Sequence, residues 1–223
     1  MAFEYDNDVN HCRIGENVQI SGFIRGRNNS VEIESPVHEC RLDLRISGNN
    51  NSVIVKAPFA IKGLDVRIGN HVQANYARLH IEEGFSIEGG GQFFLYNSGN
   101  VLEIGAHCMF SNSVTVRCGD SPHLLFDKIS GEYLDISEGV FIGRHVWVGE
   151  RVYITKRVSI ADESVAAACA VVTKRFTDQH VVIAGNPARI VRRNIQWIRN
   201  YSHLENNSTF KESYFGRQNK FRN

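Results

Sequence analysis

The sequence lacks any arrangement of cysteines that would build a disulfide scaffold or a structural zinc site. The cysteines are odd in number and widely spaced, and none belongs to a CxxC pair; they are Cys12, Cys40, Cys108, Cys118 and Cys169. Disulfide-rich domains and zinc modules place their cysteines in close, even sets. We therefore expect reduced thiols and a cytoplasmic location.

The chain also lacks a long apolar segment and an excess of one charge. No hydrophobic run approaches the roughly 20 residues that span a bilayer. The N-terminal MAFEYDNDVN has neither the basic nor the apolar part of a secretory signal. Lys plus Arg number 25 against 24 Asp plus Glu, which gives no global reason to expect nucleic acid or an acidic membrane as a partner. We expect no transmembrane segment and no nucleic-acid partner.

A six-residue repeat is the strongest signal that is present. An aliphatic residue recurs at every sixth position, at Ile142, Val148, Ile154, Ile160, Ala166 and Val172. A small or β-branched residue lies four positions after each of the first five, at Val146, Val152, Val158, Ser164 and Ala170. Neither an α-helix nor a flat sheet repeats every six residues. One short strand plus one turn does, and three such units make a triangular coil whose aliphatic residues stack in a column.

Fragments of the same step continue upstream, as in Ile81, Ile87, Phe93 and in Ile104, Phe110, Val116. Asn-rich turns at 27–30 and 48–52 separate the N-terminal fragments and suit tight corners, because Asn and Gly tolerate positive φ. The sequence thus predicts an all-β parallel β-helix over residues 1–176, with irregular N-terminal coils. The step breaks at about 123–139, where we expect a projecting loop.

Residues 177–200 read as a C-terminal segment that closes the coil. Asn186 is a plausible helix N-cap and Pro187 suits the first helical position. Apolar residues that would share one helical face follow, and they are Ile190, Val191, Ile195 and Ile198. The pattern favours a short C-terminal capping helix, and residues 201–223 are expected to form a polar tail.

Four blocks resemble the hexapeptide-repeat acyltransferases, most closely the capsule and lipopolysaccharide sugar O-acetyltransferases. The blocks are Arg117–His123, Ile142–Gly149, Val171–Lys174 and Ala184–Arg189. The resemblance implies a left-handed β-helix, acetyl-coenzyme A as co-substrate without a metal, and a sugar or polysaccharide acceptor. It further implies polysaccharide biosynthesis and a homotrimer whose sites lie between subunits.

The candidate catalytic residue is His123, which opens the predicted loop and matches the segment that presents the family's histidine. Acetyl transfer to a hydroxyl needs a general base, and imidazole titrates in the range that suits this role. A carboxylate could orient the ring. Asp120 and Asp127 are the candidates for that role, and Asp127 is also a candidate for substrate contact.

Trp147 lies in the first hexad after the loop, and the resemblance implies that it forms a wall of the site beside the acetyl group or the acceptor. His145 lies two residues earlier, on the same side of the strand. It is a weaker candidate for substrate contact, and a structural role fits it better.

The cofactor candidates lie near the end of the repeat. The family usually has Gly-Ala-Gly-Ser where this chain has Ala167–Ala170, so the pantetheine slot beside Ala168 is expected to be narrower or shifted. Clustered cations are natural partners for the phosphates of coenzyme A. The cation candidates are Lys174, Arg175 and Arg189, with Arg192 and Arg193 on the predicted capping helix, and Pro187 belongs to the matching Asn-Pro-Ala-Arg block.

Three alternatives stay open from the sequence. A sugar N-acetyltransferase would use the same coil on an amine acceptor. A γ-class carbonic anhydrase-like enzyme would need three histidines at a zinc ion, and Cys118, His107, His123 and His145 are the nearby ligand types. A non-catalytic β-helix would need a flat, repetitive exposed face, which these irregular, charged coils lack.

Overall fold

The six-residue repeat folds into short parallel strands. A computed structural model describes residues 2–135, 139–204 and 208–219 of the chain. The N-terminal strands are β1 (Phe3–Glu4), β2 (His11–Ile14), β3 (Val18–Arg25), β4 (Ser30–Ile33), β5 (Cys40–Ser47), β6 (Ser52–Val55), β7 (Ala60–Ile68), β8 (Arg78–Ile81), β9 (Ser86–Gly89) and β10 (Gly91–Leu95).

The second half continues in shorter strands. They are β11 (Val101–Ile104), β12 (Met109–Asn112), β13 (Thr115–Arg117), β14 (Val140–Ile142), β15 (Trp147–Val148), β16 (Tyr153–Ile154), β17 (Ser159–Ile160), β18 (Val165–Ala166), β19 (Val171–Val172), β20 (Val182–Ala184) and β21 (Arg189–Arg192). A 3₁₀ helix at Tyr201–Leu204 and helix α1 at Ser208–Asn219 follow.

The strands line three faces of a coil. Face 1 is the seven-stranded sheet of β2, β4, β6, β8, β11, β14 and β17. Face 2 contains β9, β12, β15, β18 and β20, and face 3 contains β10, β13, β16 and β19; the long strands β3, β5 and β7 run across both. Corner 1 joins faces 1 and 2, corner 2 joins faces 2 and 3, and corner 3 leads back to face 1. Corner 3 therefore lies opposite face 2.

The hexad prediction is confirmed residue by residue. Ile142 pairs with Ile160 on face 1, Val148 with Ala166 on face 2, and Ile154 with Val172 on face 3. The predicted second positions, such as Val146 and Ser164, are buried at the corners. The six-residue period therefore marks the side chains that point into one continuous core.

The N-terminal coils are larger and less regular, as the fragmented six-residue step in that half of the sequence predicts. Consecutive coils are offset by 19, 22 and 26 residues at corner 3. The long strands turn from face 2 to face 3 without a break, and a glycine permits the bend in β3. Gly22 has φ of +114°, and a Cβ atom there would lie 2.0 Å from the Leu44 carbonyl oxygen.

Buried asparagines stack along corner 3. Asn10 Oδ1 accepts the side-chain N–H of Asn29 at 2.9 Å, and Asn29 Oδ1 accepts that of Asn51 at 2.9 Å. Asn51 then accepts the Ala77 N–H at 2.8 Å and donates to the Ala74 carbonyl. These amides satisfy backbone groups that the corner would otherwise bury without a partner. The turn residues Asn28 and Asn50 adopt the positive φ expected of them.

The C-terminal helix is present, but it lies further along the chain than the sequence pattern places it. Residues 186–198 are not helical: β21 pairs antiparallel with β20 and extends face 2. Helix α1, Ser208–Asn219, falls within the segment expected to be a polar tail. No helix in the described ranges is long and apolar enough to cross a bilayer.

Asn51→Ala should lower the free energy of unfolding by roughly 1–3 kcal/mol, because it leaves the Ala77 N–H and the Ala74 carbonyl buried without their partner. Chemical denaturation measures the change. Asn7→Ala, in an exposed turn, is the control and should stay within about 0.5 kcal/mol of wild type. Equal values for both variants would contradict a structural role for the stacked asparagines.

Candidate functional site

A cleft of about 900 Å³ lies on the outside of face 2. Its floor consists of outward-facing residues of β12, β15 and β18, including Ser111, Trp147 and Val165. The C-terminal segment after β21 forms the facing wall with 194–197. The cleft is thus open along one side and mostly apolar at its base, as small-molecule sites commonly are.

Trp147 stands in an apolar outer column of face 2. Strand register places Met109 beside Trp147 and Val165 on its other side. The indole Nε1–H donates to Ser111 Oγ at 3.3 Å, and 37% of the residue stays exposed. The indole therefore offers a fixed aromatic surface to whatever occupies the cleft.

Corner 2 forms one end of the cleft. Gly149 and Ala168 both line it. A Cβ atom on Gly149 would lie 2.6 Å from the Ala168 nitrogen, so only glycine allows these consecutive coils to approach here. The methyl group of Ala168 is exposed at this place.

The C-terminal segment is held against corner 1 by Trp197. Its ring stacks on the His145 imidazole, with centroids 3.9 Å apart, and its Nε1–H donates to the His145 carbonyl at 2.8 Å. Glu163 Oε2 lies 2.6 Å from His145 Nδ1. Further along, Arg199 donates to Ser86 Oγ at 2.7 Å. His145 thus supports Trp197, which lies 6.2 Å from Trp147 between ring centroids.

The loop with His123 leaves the coil at corner 3, after β13. His123 is exposed, and its backbone N–H donates to the Asp120 carbonyl at 3.2 Å. The described part of the loop folds as a small hairpin, in which the backbones of Phe126 and Tyr133 pair in an antiparallel β-bridge. Asp127 accepts the N–H groups of Ser130 and Ile129, which lower the pKa of its carboxyl. The Asp127 carboxylate therefore caps its own turn.

An ion-pair network that the sequence did not predict closes the base of this loop. Lys156 Nζ lies 2.5 Å from Asp120 Oδ2 and 2.5 Å from Asp135 Oδ1. Burial opposes ionisation of Asp135, yet Lys156 and the Asp120 N–H hold the pKa of Asp135 below its usual value. Burial also opposes the charge on Lys156, but both carboxylates raise its pKa. The Asp120 carboxylate is thus occupied by Lys156.

The predicted cofactor cations do not form one cluster within a chain. Lys174 and Arg175 follow β19 and lie at corner 3, and Lys174 Nζ sits over the Phe176 ring. Pro187 lies in the turn between β20 and β21, and Arg189 begins β21 at the end of face 2. Arg192 of the same strand lines the cleft.

The predicted site residues therefore divide between two sides of the coil. One group lies at corner 3 and consists of Asp120, His123, Asp127, Lys174 and Arg175. The other lies on face 2 and its corners and consists of His145, Trp147, Ala168, Pro187 and Arg189. No residue of the described part of the loop lines the cleft. Trp147, in the first hexad after the loop, therefore does not lie beside His123 of the same chain.

The ligand types of the zinc alternative are also separated. His107 and His145 lie at corner 1, whereas Cys118 and His123 lie at corner 3. Burial raises the pKa of the Cys118 thiol to about 12. Within the described ranges, no three His, Cys, Asp or Glu side chains are grouped to hold a metal ion.

Two solved structures share this fold over nearly the whole chain. The polysialic-acid-specific acetyltransferase NeuO superposes with a TM-score of 0.75 and 28% sequence identity, over 97% of this chain and 94% of its own. The polysialic acid O-acetyltransferase OatWY gives a TM-score of 0.70 and 26% identity, over 95% of this chain and 99% of its own. This chain is an acyltransferase. Its coil is the left-handed parallel β-helix seen in hexapeptide-repeat acetyltransferases, although no protein-family model matches the sequence.

Sequence reasoning missed residues in two parts of the candidate site, the cleft and the base of the loop. Trp197 carried a weak signal, since the chain has only two tryptophans and large aromatic residues are frequent in binding sites. Lys156 and Asp135 carried none, because nothing in their spacing links two residues from different coils.

The two tryptophans of the acyltransferase report on the cleft separately. Trp147→Phe leaves Trp197, which is 7% exposed, whereas Trp197→Phe leaves the more exposed Trp147. Fluorescence of the Trp147→Phe variant should therefore peak at a shorter wavelength than that of the Trp197→Phe variant, and iodide should quench it less. The reverse order would show that the C-terminal segment does not cover corner 1.

Proposed function

We propose that this acyltransferase moves an acetyl group from acetyl-coenzyme A to a hydroxyl of a cell-surface sugar polymer or its precursor, in a site shared by two copies of the chain. The observation that carries the proposal is the division of the site residues between corner 3 and face 2. NeuO is specific for polysialic acid and OatWY O-acetylates it, which supports a sugar polymer as acceptor.

The cleft on face 2 is the proposed place of acetyl-coenzyme A. Its apolar floor, and its end at corner 2 where Gly149 lets consecutive coils approach closely, suit a thin pantetheine arm that runs past Gly149 and Ala168. The alanine methyl narrows this slot relative to a glycine. Arg192 and Arg189 lie at the end of face 2, where their guanidinium groups can bind phosphate, beside the turn that contains Pro187.

A second copy would supply the remaining groups. Corner 3 of that copy carries His123 and, two coils further on, Lys174 and Arg175. When corner 3 of one chain faces the cleft of its neighbour, His123 lies beside the thioester of the bound acetyl-coenzyme A. Lys174 and Arg175 of the first chain and Arg189 and Arg192 of the neighbour then lie near the phosphates of the same coenzyme A. A closed ring of such head-to-tail contacts gives the homotrimer that the family resemblance implies.

The reaction then needs one proton relay. Neutral His123 takes the proton of the acceptor hydroxyl as its oxygen attacks the thioester carbonyl carbon. The C–S bond breaks when the tetrahedral intermediate collapses, and the imidazolium returns the proton to the sulfur of coenzyme A. Trp147 forms the wall beside the acetyl group, and His145 acts on the cleft through Trp197.

His123→Ala should lower kcat by about 10²- to 10⁴-fold, because the imidazole acts only while the hydroxyl proton is being lost. Acetyl-coenzyme A should still raise the melting temperature of the variant, since the base contributes little to ground-state binding. His11→Ala, an exposed histidine of the first coil, is the control. Wild-type turnover in His123→Ala would overturn the assignment of the base.

Mixed oligomers test whether the site is shared. His123→Ala and Trp147→Ala chains should each be nearly inactive alone. Co-refolded in equal amounts, they should regain about a quarter of wild-type activity, because some interfaces then pair an intact His123 with an intact Trp147. A double variant carrying both substitutions, refolded with itself, is the control. Without recovery in the mixture, the two residues would have to act within one chain.

A further inference from the structure

We infer that Lys156 and Asp135 are positioning residues for His123, which fix the turn that carries the imidazole without touching the substrate. The inference rests on the proposed role of His123 as the base. It assigns a catalytic consequence to an ion-pair network outside the cleft.

The loop has two stems, and Asp135 joins them. The outgoing stem contains Asp120 and the returning stem contains Asp135. Asp135 Oδ2 accepts the backbone N–H of Asp120 at 2.9 Å and the side-chain N–H of Asn97 at 3.0 Å. Its side chain is fully buried. The carboxylate thus ties both stems to each other and to the preceding coil.

Lys156 adds the tie to the following coil. It follows β16 at corner 3, and its ammonium contacts carboxylates on both stems, Asp120 and Asp135. The Lys156 side chain is 19% exposed. A poorly hydrated ammonium between two carboxylates has few other partners, so loss of either side of this pairing leaves a charge that burial disfavours.

The path from this network to the imidazole is three residues long. The Asp120 carbonyl accepts the His123 N–H, and the Ser121 N–H donates to Asn97 Oδ1 at 3.1 Å. The Asp120 carboxylate, which the sequence offers as a partner for the imidazole, binds Lys156 instead. Asp120 therefore acts on His123 through the backbone of the turn.

A displaced base changes the rate more than the binding of the donor. A misplacement of about 1 Å can cost on the order of 10²-fold in rate. The residues proposed to bind acetyl-coenzyme A lie outside the loop stems, on face 2 of the neighbouring copy and at Lys174 and Arg175, two coils beyond the loop. Release of the loop stems should therefore lower kcat and leave the KM for acetyl-coenzyme A nearly unchanged.

Lys156→Met, which keeps the length of the side chain and removes its charge, is the main test. We expect kcat to fall by on the order of 10²-fold, with a less than about twofold change in the KM for acetyl-coenzyme A. Amide hydrogen exchange in peptides covering 118–135 should become faster at a temperature where the variant stays folded. Lys128 is an exposed lysine of the same loop, and Lys128→Met should leave both kcat and the amide exchange of the loop unchanged.

Conservative variants separate positioning from a purely structural role. Lys156→Arg, whose guanidinium can bind both carboxylates, should recover part of kcat and of the exchange protection. Asp135→Asn should resemble Lys156→Met. If Lys156→Met does not fold, the kcat and loop exchange of Lys156→Arg and Asp135→Asn are compared instead. A higher kcat and slower loop exchange in Lys156→Arg support the inference, and equal values contradict it. A lower melting temperature with unchanged kcat and unchanged loop exchange would overturn the inference.

The failure of the inference can be told from that of the proposed function. If His123→Ala loses turnover while Lys156→Met keeps wild-type kcat and loop exchange, the base stands and the positioning role is overturned. If His123→Ala keeps wild-type turnover, the proposed base is overturned and the positioning role falls with it.

Discussion

In-register stacking of parallel strands is the constraint on which the rest of this structure depends. Each coil exposes backbone N–H and C=O groups along its strands, and only the next coil can satisfy them. The same stacking places the aliphatic hexad residues in one core and the buried asparagines of corner 3 above one another. A coil that slipped by one residue would turn its core side chains outward, so every corner has a fixed place.

Fixed corners make the coil a rigid support for its two irregular segments. One is the loop at corner 3, which is tied down by Lys156, Asp135 and Asn97. The other is the C-terminal segment, which is tied to corner 1 through Trp197 and His145. Both ties use buried or half-buried polar groups that are hydrogen-bonded, as the low dielectric of such places requires. Chemistry can then be placed on loops while the scaffold keeps their geometry.

The rigidity also separates the candidate catalytic groups. A triangular coil cannot bend to bring corner 3 against its own face 2, so His123 and the Trp147 cleft of one chain stay apart. The proposed function resolves this through symmetry, because every copy offers one corner and one cleft. In that arrangement, assembly and catalysis depend on the same contact between chains.

The sequence by itself determined the coil, because the six-residue period selects which side chains point inward, whatever loops intervene. It also offered His123 and Trp147 as candidate site residues, through blocks of the family resemblance. It misplaced the C-terminal helix, because the apolar spacing of 186–198 fits a helical face as well as an edge strand. Only the folded coil offers β20 as the edge with which β21 pairs. The Lys156–Asp135 pair and the separation of the two groups of site residues were decided by tertiary structure alone, since both depend on which corner of the coil each residue reaches.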